Sequence, residues 1–259
     1  MNKREFLRDA ILFFPAAGVC GALAAQAAGN DPATVAATTP TGYDPTDHWY
    51  GMGIDVDKCI GCNRCVEACK TENGVPEEPF FFRTWIERYS IHADGEVKVE
   101  SISTKTPEQL LAEQDQPVDP EVVRTFFVPK LCNQCAHPPC VQVCPVGATF
   151  QTKDGVVLVD EKRCIGCRYC IQACPYGARY LNPVTKTADK CTFCYHRITK
   201  GLAPACVEVC PTEARIFGDL KGRAERLVSF QRENVISVLK PDLNTEPKAL
   251  YANLDGEVR

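Results

Sequence analysis

The 259-residue chain carries no glycine fingerprint for a dinucleotide, no nucleophile spaced with a general base, and no stripe of basic residues. The first absence excludes a nicotinamide or flavin domain of the usual α/β kind. The second leaves no reason to expect a catalyst, so the chain is read as a non-enzymatic component. The third, with 29 Lys and Arg against 33 Asp and Glu, excludes nucleic acid as a partner. Beyond residue 28 no apolar run is long enough to span a bilayer. At 45% hydrophobic and 24% charged, the rest of the composition is that of an ordinary globular chain.

What the chain has is cysteine: 17 residues, of which all but Cys20 fall into four groups. These are Cys59, Cys62, Cys65, Cys69; Cys132, Cys135, Cys140, Cys144; Cys164, Cys167, Cys170, Cys174; and Cys191, Cys194, Cys206, Cys210. A disulfide framework spaces its cysteines irregularly around loops. Zinc takes four ligands in a closed site and leaves a third cysteine at i+6 without a role. The run C-x2-C-x2-C-x3-C-P in CIGCRYCIQACP has the form that holds a cubane iron–sulfur cluster. Three thiolates come from one tight loop, and the fourth serves the other cluster of a pair. Iron–sulfur ligation is therefore the expected chemistry.

The residues between the cysteines agree. Gly61 and Gly166 stand where the backbone wraps close to a cluster. Successive amides of such a loop can donate to sulfide. Pro145, Pro175 and Pro211 follow the fourth cysteines and redirect the chain, whereas Lys70 takes that place in the first motif and is expected to alter local geometry there. CIGCNRCVEAC matches CIGCRYCIQAC, and PPCVQVCPVGA matches PACVEVCPTEA, as though a two-cluster unit had been duplicated. Spacing alone allows neighbouring motifs to pair, or a nested scheme of first with fourth and second with third.

The widened second motif C-x2-C-x4-C-x3-C and the fourth, C-x2-C-x11-C-x3-C, resemble those of the four-cluster electron-transfer subunits of respiratory molybdenum reductases. The stretch ADKCTFCYHRITKGLAPACVEVCPTEARIFGD and the tail VLKPDLNTEPK look closest to the tetrathionate/polysulfide reductase branch. The resemblance spans roughly residues 50–250. It implies four [4Fe-4S] clusters in the nested scheme. Cys59, Cys62, Cys65 and Cys210 would hold one; Cys69, Cys191, Cys194 and Cys206 the second. Cys132, Cys135, Cys140 and Cys174 would hold the third; Cys144, Cys164, Cys167 and Cys170 the fourth. No ligand position carries Trp, Asp or Ser, so no three-iron cluster is expected. The implied partners are an integral-membrane quinone-binding subunit of polysulfide-reductase type and a bis-molybdopterin catalytic subunit or multihaem cytochrome. The chain would relay single electrons between them. Its alternatives are a quinol-oxidising module of a molybdenum-free complex and a free-standing periplasmic polyferredoxin.

The expected fold is α+β: two ferredoxin-like dicluster units with small β-sheets and short helices, a β-rich insertion and a C-terminal extension. GIDVDKC, GVVLVDEKRC, RTWIERYSI, GEVKVES and VVRTFFVPK read as strands. TKTPEQLLAEQDQPVDP reads as a surface loop, and KGRAERLVSFQRENVISVL as a helix. The boundaries are 51–74 with 185–218 for the first unit, 75–125 for the insertion, 126–184 for the second unit and 219–259 for a docking extension. Each oxidised cubane with four thiolates adds about −2, so Lys58, Arg64, Lys130, Arg163, Arg168, Arg179, Lys190 and Arg197, in or beside the motifs, are candidate counter-charges. His137 and His196 lie beside cysteines, but four thiols per cluster leave them no ligand position.

Residues 1–28 have a charged head, an apolar middle and an A-x-A close, resembling a twin-arginine signal with Lys3-Arg4 for the arginine pair. Residues 29–50 would be a linker. Clusters are built inside the cell, so export must be of the folded protein. The expected location is peripheral, on the periplasmic side of the cytoplasmic membrane.

Overall fold

A computed structural model of the chain describes residues 42–77, 81–114 and 119–258. The expected N-terminal signal and most of the expected linker lie outside the described residues. Among the described residues no helix is long and apolar enough to cross a membrane.

The fold is α+β, and strands run into and out of the cysteine motifs. Strand β1 (Tyr50–Asp55) leads to the first motif, β4 (Val122–Leu131) to the second, β6 (Val157–Val159) to the third and β8 (Ala188–Lys190) to the fourth. Strands β5 (Thr149–Gln151), β7 (Arg179–Leu181) and β9 (Arg215–Asp219) leave the second, third and fourth motifs. Exit strands pair antiparallel with entry strands: β5 with β6, β7 with β8, and β9 with β1. The β7–β8 pair bridges the expected boundary between units at residue 184.

The insertion contains β2 (Thr84–His92) and β3 (Val97–Ser101), which join β4 in a three-stranded antiparallel sheet ordered β3-β2-β4. The stretch expected as a loop contains a helix, Pro107–Gln114. Its start is a capping box: Thr106 Oγ1 accepts from the Gln109 amide at 3.3 Å, and Gln109 Oε1 accepts from the Thr106 amide at 2.9 Å. Pro107 opens the helix, where its missing N–H costs nothing. Arg88 and Lys105 each pair with Glu100 and Glu113, which ties the helix to the sheet.

The C-terminal segment departs further from expectation. Its helix covers only Arg226–Glu233, buries Leu227 and Phe230, and is followed by strand β10 (Ile236–Ser237). Strand β11 (Ala249–Ala252) then inserts between β10 and β1, parallel to β1, to complete a four-stranded sheet ordered β10-β11-β1-β9. Just before it, the amides of Ala136 and His137 donate to the carbonyls of Glu246 and Thr245. The Lys248 amide donates to Asn133. The last quarter of the chain thus spans from the loop of the second motif to the strand that enters the first.

Candidate metal centres

The four motifs share a backbone form that their side chains do not reveal. The second residue after each first cysteine has positive φ: Gly61 at 72°, Gln134 at 45°, Gly166 at 68° and Phe193 at 53°. The left-handed turn curls the loop so that its amides face inward. The Phe193 amide donates to Cys191 Sγ at 3.4 Å. Two of the four positions are glycine for a further reason. A Cβ on Gly61 would lie 2.7 Å from the Phe127 ring, and one on Gly166 would lie 2.6 Å from the Lys186 carbonyl. Protein, rather than cluster alone, therefore forbids a side chain there.

After the loop comes a helix carrying the third cysteine. In the last three motifs the helices are single turns, Pro139–Gln142, Tyr169–Gln172 and Ala205–Glu208. The cysteine–proline turn follows them, in which the amides of Gly147, Gly177 and Glu213 donate to the carbonyls of Cys144, Cys174 and Cys210. In the first motif Lys70 has the N–H that proline lacks, and the helix runs on over Arg64–Asn73 to a left-handed Gly74. The extension puts Asn73 Nδ2 at 3.6 Å from the sulfurs of both Cys69 and Cys194.

The helix of the first motif packs on that of the fourth, and the helix of the second on that of the third. The thiols gather accordingly, and all sixteen are free. Burial pushes the Cys59 thiol up to about 11, and the neighbouring Cys65 and Cys210 thiols add to the rise. Burial also raises Cys69 well above an ordinary thiol, reinforced by Cys191, Cys206 and Cys194. The same four line a small cavity with Asn73 and Arg83. Burial takes Cys135 up to about 12, with further contributions from Cys132, Cys140 and Cys174. Cys164 and Cys170 pack together with Val157 and Ala188, and the Ala188 amide donates to Cys164 Sγ at 3.4 Å.

These gatherings touch in sequence. Cys65 is close enough to Cys206, and Cys132 to Cys191, to push the Cys206 and Cys191 thiols up. Cys140 and Cys170 belong to one apolar cluster. Cys62 and Cys167 are the two exposed thiols of the sixteen.

Two family models, both described as 4Fe-4S dicluster domains, match residues 58–148 and 123–220. A tetrathionate reductase subunit of Salmonella typhimurium is 45% identical over 210 residues, covering 80% of this chain and 74% of that protein. A polysulfide reductase subunit of Wolinella succinogenes is 36% identical over 200 residues, covering 77% of this chain and 91% of that one. The Hdr-like menaquinol oxidoreductase iron-sulfur subunit 1 of Archaeoglobus fulgidus is 34% identical over 250 residues, covering 80% and 84%. The chain belongs to the tetrathionate/polysulfide reductase branch of iron–sulfur electron-transfer subunits.

The residues of this iron–sulfur protein fit [4Fe-4S] clusters. A single zinc ion draws four sulfurs to about 2.3 Å from one point and would leave no space between them. A cavity walled by four thiols and by the donors Asn73 and Arg83, which sulfide can accept, instead suits a cubane. Buried donors without partners, Nε of Arg83 and Nη1 of Arg215, lie beside the thiols, where sulfide would accept them. The histidines turn elsewhere: His196 Nε2 meets Glu72 at 2.6 Å, and exposed His137 faces Glu246.

The candidate counter-charges divide. Lys58, Arg64, Arg163 and Arg168 are exposed. Lys130 pairs with Glu87, and Arg197 with Glu72 and Glu208. Arg179 and Lys190 are buried among thiols. Sequence reasoning missed Arg215, Arg83 and Asn73. The repeat C-P-x-x-A-R, at 174–179 and 210–215, was a signal for Arg215 beside Arg179.

Proposed function

We propose that the sixteen grouped cysteines hold four [4Fe-4S] clusters in the nested allocation given above. The protein is then a non-catalytic relay between a quinone-binding membrane subunit and a catalytic molybdenum subunit. Each bound cluster supplies one-electron chemistry; the chain positions it, excludes water and supplies donors and counter-charge. The observation that carries this reading is the linear succession of thiol gatherings, with exposed thiols at its two ends. Ile60, at 58% exposure, flanks Cys62, while Ile165 at 65% and Tyr169 at 57% flank Cys167. Exposed apolar rims around terminal thiols suit docking to two different partners. The relatives' names support the tetrathionate or polysulfide class.

Protein assembled anaerobically should contain about sixteen irons and as many acid-labile sulfides per chain. It should also co-purify with a large molybdenum-containing subunit. Half that iron, or stoichiometric zinc, would rule out the four-cluster allocation. The menaquinol oxidoreductase relative supports a second reading, a quinol-oxidising module without molybdenum. Co-purification with a haem or sulfite-reduction partner would favour it.

We also infer export of the folded protein to the periplasmic face of the membrane. The support is the signal-like character of residues 1–28. Replacing Lys3-Arg4 by Lys-Lys should strand cluster-bearing protein in the cytoplasm; unchanged export would refute it.

A further inference from the structure

Four cations are almost sealed from solvent, Lys190 at 1% exposure, Arg215 at 2%, Lys248 at 3% and Arg179 at 5%; Lys248 has the Asp154 carboxylate near it, which leaves three. Such groups ordinarily bring a carboxylate with them, as Arg83 does with Asp189 and Lys130 with Glu87. Among the described residues, no carboxylate forms an ion pair with any of the three. Their hydrogen bonds go to neutral groups and to sulfur. Arg215 Nη2 donates to Thr84 Oγ1 at 2.7 Å, and its buried Nη1 has no partner. Arg179 Nη2 donates to Cys140 Sγ at 3.1 Å, and Nη1 to Thr149 Oγ1 at 3.4 Å. Lys190 Nζ donates to the carbonyls of Cys191, at 2.7 Å, and Val157.

Their neighbours are thiols from two different gatherings in each case. Arg215 has Cys59 and Cys65, and also Cys206, near it. Lys190 has Cys191, and also Cys132 and Cys140, near it. Arg179 has Cys132, Cys140 and Cys174, and also Cys170, near it. Burial opposes the charge on all three; on the arginines the thiol neighbours outweigh it and favour the guanidinium, whereas on Lys190 burial prevails and holds the ammonium below the usual lysine range.

We infer that Arg215, Lys190 and Arg179 form a row of buried cations, one at each junction between consecutive cluster sites, that sets the potentials along the relay. The inference rests on the nested allocation. Each one-electron reduction adds one negative charge to a cluster without a proton or a bond change. A fixed cation at the junction favours that added charge on either side, in a medium where charges are weakly screened. Because one cation is shared by two sites, it lowers both levels together and keeps neighbours matched. Arginine suits the outer junctions, since it holds its charge and donates several N–H groups in a rigid fork.

The test uses the whole chain with its clusters, in the assembled complex, by redox titration followed by electron paramagnetic resonance. Cys62→Ser, Cys206→Ser, Cys135→Ser and Cys167→Ser first mark the signal of each site. Arg215→Met should then make the sites of Cys62 and Cys206 harder to reduce. The expected change is tenfold or more in the reduced-to-oxidised ratio at fixed potential, or 59 mV for one electron. The other two signals should stay in place. Arg179→Met should do the same to the sites of Cys135 and Cys167. Arg215→Lys and Arg179→Lys should recover most of the shift, which separates charge from packing and serves if a methionine variant does not fold. Unshifted flanking signals at full iron content would overturn the proposal. So would equal shifts at all four sites, or lysine variants as displaced as methionine ones. If Cys62→Ser and Cys206→Ser altered a single signal, the fault would lie in the allocation, and the junction assigned to Arg215 would fall with it.

Discussion

Burial raises most of the resolved thiols, but Cys144 behaves differently. Burial pushes it up as well, yet the amides of Thr149, Val146 and Ala148 outweigh that push and hold it below an ordinary thiol. The Thr149 amide donates to its sulfur at 3.4 Å. The cause is the cysteine–proline turn, which gathers consecutive N–H groups around one sulfur. Reactivity follows the thiolate fraction. In the iron-free chain at pH 8, iodoacetamide should therefore modify Cys144 about tenfold or more faster than Cys59, Cys135, Cys191 or Cys206. Peptide mass spectrometry over a time course reads the order, and equal rates would contradict the amide nest.

At the scale of elements, one backbone N–H separates the first motif from the rest. Lys70 lets its helix continue to Asn73, and the Lys70 side chain then caps the following turn through the carbonyls of Pro76 and Glu77 at 3.2 Å. Arg83 Nη1 holds Asn73 Oδ1 at 3.0 Å, so the extension becomes one wall of the second site. Lys70→Pro would convert the motif to the pattern of the other three and break the helix, at about 3 kcal/mol. It should also withdraw Asn73 from both sulfurs. The expected result is a lower denaturation midpoint together with a changed signal from the site of Cys69. A normal signal at reduced stability would show that Asn73 is dispensable there.

At the scale of the whole molecule, the thiols and buried cations are halves of one charge balance. Without clusters, Arg215, Arg179 and Lys190 keep their burial and lose their anions. Stripping iron with a chelator under reducing conditions should therefore lower the unfolding midpoint cooperatively rather than leave a stable empty shell. The pH dependence has a definite sign. Burial raises Cys59 and Cys206 to about 11 and Cys135 and Cys191 to about 12, with nearby thiols adding to the effect. Unfolded thiols ionise near 8.5, so above that pH the unfolded chain binds fewer protons and native stability falls as pH rises. Denaturation at pH 8 and pH 10 should show the iron-free chain losing more stability than the loaded one. The opposite order would mean that the thiols are already ionised in the fold.

Cysteine spacing by itself determined the chemistry, because a cubane needs thiolates from one short loop and spacing along a chain is a local property. The strands read before the first three motifs, and the redirection of the chain at Pro145, Pro175 and Pro211, were local in the same sense. The capping box at Thr106 and Gln109 was equally local and was overlooked. The tertiary structure alone decided what depends on distant packing. Gln134 and Phe193 adopt the left-handed turn that glycine announces in the other two motifs, because loop packing imposes it. Strand β11 takes its place beside β1 although nearly 200 residues lie between them, since its apolar residues complete a sheet that β1 and β9 leave open. Lys58, Arg163 and Lys190 occupy the same position before a first cysteine, yet only Lys190 is buried. Lys58 reaches back to Asp55 at the surface, whereas the strand bearing Lys190 is covered by the loops of the second and fourth motifs. Burial is a sum over the whole fold, and no run of neighbouring residues contains it.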